Sequence, residues 1–439
     1  MSKLGEMSTF QLSVMIVFGA AAVIAIGIFA MGGAGGGDSI RATELTLWGS
    51  VDRRVIEPWL KENFDDNSAI NVNYRYVSVD SFDVELLDKM SIGQGPDMVL
   101  ISQNKLVRHK DRILPIPFSY YPETRFRETF VDSAEVLLDR RESIMYAFPV
   151  LVDPIVMYWN RAYVRESGYT RPPDRWGNLG DFVRANIIRS GDVIERSPVA
   201  LGEYSNIEHA KEIISTLIFQ AGGQIVRGQV SGLEAVLKED FGRTIAPAVS
   251  SIMFYTDFSD PQRSVYSWNR NMPNSLTSFT EEDLVVYFGK TSDFKKISDA
   301  NPFLDFGVGP VPSNEEGISS SYAEVTGLAV VSTTKNTDAS ISAVLSMVEP
   351  DSLRSLSESF EGVPPAREDL LNNPPQEPFH VPIFYRAAIR SMSWVDPGYK
   401  ETDEILSELI ERVSDKSMDI DRAVNRANLR INTVISETY

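Results

Sequence analysis

Cysteine is absent from all 439 residues. That excludes disulfides, a thiolate metal site, a cysteine nucleophile and a lipid-modified cysteine anchor. Histidine is scarce, with His109, His209 and His380 far apart in the chain, which argues against a His-based zinc site or a Ser-His-Asp triad. Basic residues are outnumbered, 42 Lys and Arg against 61 Asp and Glu, for a net charge of −19. Phosphate contacts need clustered Lys and Arg, so nucleic acid is excluded as a partner, and anionic lipid heads are disfavoured for the folded part. No GxSxG nucleophile elbow and no DxDxDG calcium loop occurs. The stretch GKTS ends like a phosphate loop, but Leu284 stands where that loop needs its first glycine. Carboxylates are too abundant for any two to be read as a glycosidase pair, which needs a defined separation. We therefore expect no metal, no cofactor and no enzymatic activity.

What is present begins with an apolar run, LSVMIVFGAAAVIAIGIFAM, over 12–31. It has about twenty residues without a charge, enough to span a bilayer as a helix. The competing reading is a cleaved signal, whose apolar region is normally shorter. The run predicts residues 1–11 as a cytoplasmic N-terminus, 12–31 as a single transmembrane anchor, and 32–43 as a Gly-rich linker. The protein would sit in the cell membrane with its soluble part extracytoplasmic.

Beyond the linker, ELTLWGS reads as a strand, Val51 to Asn63 as a helix, and INVNYRYVSV as a strand in clean alternation. A helix from Ser81 to Met90 and a strand ending at Ser102–Gln103 follow. This strand–helix alternation predicts an α/β fold with a parallel sheet, whose ligands gather at the carboxyl ends of the strands. Helices are predicted over Ile207–Gln220 and Phe241–Phe258, strands at DLVVYFGK, LDFGVGPVP and YAEVTGLAVVS, and a mostly helical final third. One strand is anomalous: FPVLVDPIVMYWN, 148–160, carries Asp153 and Pro154 in an otherwise apolar run, where a central strand should have neither.

The ordered set LTLWG, GQGPDMVLIS, FPVLVDPIVMYWNRAYVRESGY, PPDRWGNLGDF, FQAGGQIV, SWNRNMPNSLTSF, LDFGVGPVP, GLAVVSTTKN and VPPARED resembles the bacterial extracellular solute-binding proteins of family 1. These are the maltose-binding-protein-like receptors of sugar-type ABC importers. The resemblance covers nearly the whole chain after Glu44. It implies a type II periplasmic-binding-protein fold: two α/β lobes, crossing hinge strands and an interlobe cleft. Lobe 1 would be 44–150 and 313–365, and lobe 2 would be 151–312 and 366–439. Asp153 would then lie at the hinge, where a carboxylate can face a ligand and a proline is tolerated because the chain changes sheets.

Sugar sites need aromatic faces for the C–H side of the ring and acceptors for its hydroxyls. Asp153 is the candidate acceptor, the alternative being a hinge carboxylate that caps local backbone. Trp48 and Ser102 end strands of the first lobe. Tyr266 and Trp268 lie on a polar, proline-flanked stretch that predicts exposure at a cleft rim. Glu203 and Tyr204 follow an apolar strand-like stretch, and Arg367 and Trp394 fall on hinge-adjacent loops. Glu324 reads as an ordinary strand polar group. The chain departs from the family at FTEEDLVVYFGKTSDF, where Glu282 and Val285 replace a Gly and an Ala, and Lys290 and Thr291 occupy the place of a stacking aromatic. Trp268 is the substitute ring, and Lys290 could instead pair an acidic ligand such as a uronic acid or acidic peptide. The expected function is capture of a carbohydrate solute, an oligosaccharide by preference, and its delivery to ABC-transporter permease subunits. The alternative is a membrane-tethered polymer- or peptide-binding protein without a transport role.

Overall fold

A computed structural model describes residues 42–64, 68–314 and 320–438; the 12–31 segment lies outside them. Among the described residues no helix is long and apolar enough to cross a membrane. Residues Glu44–Tyr439 form one compact unit.

Its spine is a nine-stranded mixed sheet. In chain order the elements that matter here are β1 (Thr43–Gly49), α1 (Arg53–Asn63), β2 (Ile70–Tyr76), α2 (Phe82–Ser91), β3 (Met98–Ser102), β4 (Phe148–Asn160), β5 (Ile188–Ser190), β6 (Val193–Val199), α3 (Ala210–Gln220), β7 (Leu284–Lys290), β8 (Phe306–Gly309), β9 (Ala323–Val330), α4 (Val381–Ile389), α5 (Tyr399–Ser414) and α6 (Ile420–Thr438). The strand order is β2-β1-β3-β9-β4-β7-β6-β5, with β8 also paired to β4. The opening β-α-β-α-β segment forms as its alternation predicts, and β1 runs parallel to β3. The sheet is not purely parallel, because β9 enters antiparallel between β3 and β4.

Local chemistry sets the element ends. Asp52 accepts from the backbone N–H of Arg54 at 2.8 Å to cap α1, and Ile56, Trp59 and Leu60 bury one stripe of that helix. The helix expected from Ile207 starts only at Ala210, since His209 adopts a left-handed φ of 60°. The helix expected over Phe241–Phe258 contracts to Pro247–Thr256. Pro247 sets its first turn, and Phe241 has φ 51°.

The anomaly in β4 has a direct explanation. Its first half pairs with β9 up to Ala323 opposite Pro154, and on the other edge Val152 N–H donates to Pro364 O at 2.9 Å. From Ile155 onward the neighbour on one side is β7; on the other, Ile155 N–H still donates to Tyr322 O at 2.9 Å and β8 takes over from Met157. One edge of the strand therefore changes partners at Asp153–Pro154, and the other does so between Ile155 and Met157. Pro154 lacks an N–H where the old ladders end and the new ones begin, so no ladder bond is lost. The VPPAR segment pairs beside Leu151, and Met392 pairs beside Tyr322, so further segments meet at the same crossing.

Candidate functional site

Asp153 on β4 stands directly opposite Glu324 on β9. Side chains at paired antiparallel positions share a face, and like charges there repel unless something intervenes. Lys290, the last residue of β7, intervenes: its Nζ lies 2.5 Å from Glu324 Oε2 and 3.6 Å from Glu212 Oε1. Glu212 comes from the first turn of α3. Asp153 Oδ1 accepts from Thr291 Oγ1 at 2.6 Å and from Ser292 N–H at 3.0 Å, closing the turn after β7. Burial pushes the Asp153 carboxyl upward against the attraction of Lys290 and those two donors. Burial opposes the Lys290 charge, but Glu324, Glu212 and Asp153 together hold its pKa well above the usual lysine value. Glu324 goes the other way: burial would raise it, and Lys290 brings it below the usual carboxylate range.

A buried hub holds this group in place. Asp293 Oδ2 accepts from His209 Nε2 at 2.7 Å, Tyr287 OH at 2.8 Å and the Lys290 backbone N–H at 3.0 Å. His209 leads into the helix that carries Glu212, so one carboxylate fixes both contributors. Burial opposes a charge on His209, and Asp293 outweighs it, raising its pKa above the ordinary histidine value. The hub needs Gly289, because a Cβ there would meet Tyr287 Cε1 at 2.2 Å and Asp293 Oδ2 at 2.7 Å.

The β3 side contributes a neutral network. Ser102 Oγ donates to Gln103 Oε1 at 3.3 Å and accepts the Asn104 N–H at 3.3 Å. Gln103 Oε1 accepts Val325 N–H at 2.7 Å, and Gln103 Nε2 donates to Tyr322 OH at 2.8 Å. Tyr322 also donates its backbone N–H to Thr216 of α3 at 2.9 Å, which ties β3, β9 and α3 at one residue. Beside them Lys211 forms a buried pair with Asp396 at 2.6 Å. The Tyr399 ring stands 4.2 Å from Lys211 Nζ and is 40% exposed. Burial raises the Tyr399 hydroxyl pKa, with contributions from the nearby Glu212 and Glu324 charges. The group thus offers carboxylate acceptors, an ammonium donor and one accessible aromatic ring. His209 is committed to a buried carboxylate, so the group holds no free nucleophile–base pair.

Of the residues singled out from sequence, Asp153, Lys290 and Ser102 meet here. The capping role of Asp153 is realised through Oδ1. The rim exposure expected of Trp268 is not found: its side chain is fully buried, with Nε1–H donating to Asn206 at 3.1 Å. A polar flank suggests solvent, whereas these polar groups satisfy one another beneath the surface. Trp48 is likewise buried, with the Arg75 guanidinium 4.3 Å over its ring. Tyr266 is half-buried under Arg189 of the edge strand β5. Arg367 makes paired 2.9 Å bonds to Asp369 and donates to Val348 O. Buried Tyr204 donates to Asp403 of α5 at 2.6 Å, and buried Glu203 lies 3.7 Å from Arg270. Trp394 packs 5.4 Å from Lys211. Sequence reasoning missed Glu212, His209 and Tyr399, and undervalued Glu324. The signal for Glu324 was a lone carboxylate in an apolar strand, the same anomaly that singled out Asp153. Among the described residues no cluster of side chains is arranged to hold a metal.

The sequence matches no protein-family profile and no curated protein. Solved structures share its fold. A cyclic α-maltosyl-1,6-maltose binding protein from Arthrobacter globiformis superposes with a TM-score of 0.73 at 16% identity, covering 90% of this chain and 100% of that one. A cyclo/maltodextrin-binding protein complexed with maltotetraose gives 0.71 at 16% identity over 91% and 98%. The sugar-binding protein MalE from the phytopathogen Xanthomonas citri gives 0.68 at 16% identity over 90% and 98%. The chain therefore has the two-lobed α/β fold of ABC-importer sugar-binding proteins.

Proposed function

We propose that the protein is an extracytoplasmic receptor that captures a carbohydrate in an interlobe cleft and presents it to an ABC importer. The observation that carries this reading is the Asp153–Lys290–Glu324 group at the strand crossing. It lies where β4 exchanges its partners, and its acceptors and donor suit the hydroxyls of a sugar. The fold neighbours support it, because the proteins they represent bind maltotetraose and related sugars. In this reading lobe 1 is 44–150 and 313–365, lobe 2 is 151–312 and 366–439, and 12–31 anchors the chain in the membrane. Ligand binds the open cleft, the lobes close about the crossing strands, and the closed form docks on the permease.

An acidic ligand fits less well than a neutral one. Lys290 already shares its charge between Glu324 and Glu212, so a carboxylate entering beside it would face Glu324 and Asp153. The absence of an exposed tryptophan at this group leaves Tyr399 as the stacking ring. We assign no catalysis: the carboxylates serve as acceptors and as partners of Lys290.

A thermal-shift screen against mono- and oligosaccharides, uronic acids, polyols and short peptides tests the assignment. Ligand at a hundredfold its dissociation constant should stabilise the protein by about 2.7 kcal/mol. A shift with neutral saccharides is the expected outcome. A response confined to peptides or uronic acids would replace the carbohydrate reading, and none at all would favour polymer binding without transport.

A further inference from the structure

A cavity of about 430 Å³ lies against the other half of β4 and shares no residue with the Asp153–Lys290–Glu324 group. Its floor is apolar, built from Met157 and Trp159 of β4, Val308 of β8 and Ile383 of α4. The Trp159 side chain lies on two glycines: a Cβ on Gly307 would come within 2.4 Å of its ring, and one on Gly309 within 3.1 Å. Those glycines let an indole lie flat on an edge strand, where it is half-buried and lines the cavity.

The mouth carries the opposite sign to the rest of the protein. Among the described residues, Arg171, Arg386 and Arg390 line it with Asp174 as the one carboxylate, on a chain whose net charge is −19. Arg171 pairs with Asp174 at 3.2 Å, both side chains being about two-thirds exposed (69% and 65%), so that pair is screened and weak. Arg386 donates Nε–H to Pro382 O of its own helix at 3.1 Å and stands in none of the ion pairs among the described residues. Guanidinium groups around an apolar floor suit a ligand with one anionic group on a flat hydrophobic body. The arginines would take a carboxylate or sulfonate, and the floor would take the rings. The volume falls in the range that holds a small organic molecule and is too small for a lipid with two acyl chains.

We propose that this cavity is a second ligand site, for a small aromatic monoanion. Its existence does not depend on the carbohydrate reading, since its walls and charges are separate from the cleft group.

Fluorescence titration of the solute-free protein with 1-anilinonaphthalene-8-sulfonate tests it, alongside the uncharged N-phenyl-1-naphthylamine, which keeps the aromatic body without the sulfonate. The expected result is saturable one-to-one binding of the sulfonate, with the uncharged compound bound about tenfold or more weakly. The double substitution Arg171→Glu and Arg386→Glu, at exposed positions, should weaken the sulfonate by a similar factor and leave the uncharged compound unaffected. The proposal is overturned if the two compounds bind the unaltered protein equally, if the sulfonate does not bind, or if the charge-reversed protein retains its affinity. The comparison of compounds on the unaltered protein stands even if the double variant folds poorly.

Discussion

Lys290 decides whether the cleft group holds together. Replacing it with Met leaves Glu324 and Glu212 facing each other without a cation, and breaking a buried pair from one side typically costs about 3–5 kcal/mol. Urea unfolding of Lys290→Met should show a loss of that order, and Lys290→Met with Glu324→Gln should recover part of it. Asp153 has a different role. Its Oδ1 is committed to the turn after β7, so Asp153→Ala should weaken saccharide binding by about tenfold, roughly 1.4 kcal/mol. Trp268 belongs to the core and not to the cleft rim. Trp268→Ala should destabilise by about 3–5 kcal/mol, and any effect on binding should track unfolding. Sequence singled out Asp153 because a charge inside an apolar strand is anomalous, and Lys290 because it occupies the place of a stacking aromatic in the family the chain resembles. It misplaced the tryptophans because polar neighbours look alike whether they face water or one another.

At the level of elements, the turn after β7 ties local geometry to the site. Gly289→Ala would drive a methyl group into Tyr287 and Asp293, displacing the backbone that presents Lys290. Loss of both thermal stability and saccharide affinity is expected. The His209–Asp293 pair adds a pH signature. The folded-state pKa of His209 is raised, so its contribution to stability is fully present below the unfolded value of about 6.5 and is lost as pH rises through the folded value. His209→Asn keeps a residue suited to the left-handed backbone. The stability difference between wild type and this variant should be largest in mild acid and shrink on the alkaline side, in denaturant titrations across the pH range. The β-α-β-α-β opening was legible from periodicity alone. The antiparallel entry of β9 was not, because alternation reports which face of a strand is buried and nothing about its direction or its partner. The short start of α3 was hidden in a backbone dihedral at His209.

Residues Glu44–Tyr439 have a two-lobed α/β fold built on one mixed sheet, in which β9 lies antiparallel between β3 and β4. The charge imbalance argues against phosphate backbones as partners, and the order of family-like segments points to the crossing. Identity of 16% to the fold neighbours transmits architecture and leaves the ligand open, because a sheet tolerates many side chains while a sugar site depends on a few. If closure delivers the solute, small-angle scattering should show a smaller radius of gyration with saccharide than without, and at a ligand concentration near the wild-type dissociation constant the difference should shrink in Asp153→Ala.

The most direct test is isothermal titration of the protein and its Asp153→Ala variant with the saccharide that gives the largest thermal shift. The predicted result is one-to-one binding by the wild type and an affinity about tenfold lower or worse in the variant, measured at a temperature where both proteins are folded. Equal affinities in the two proteins, or no heat from any carbohydrate, would contradict a sugar site at the strand crossing.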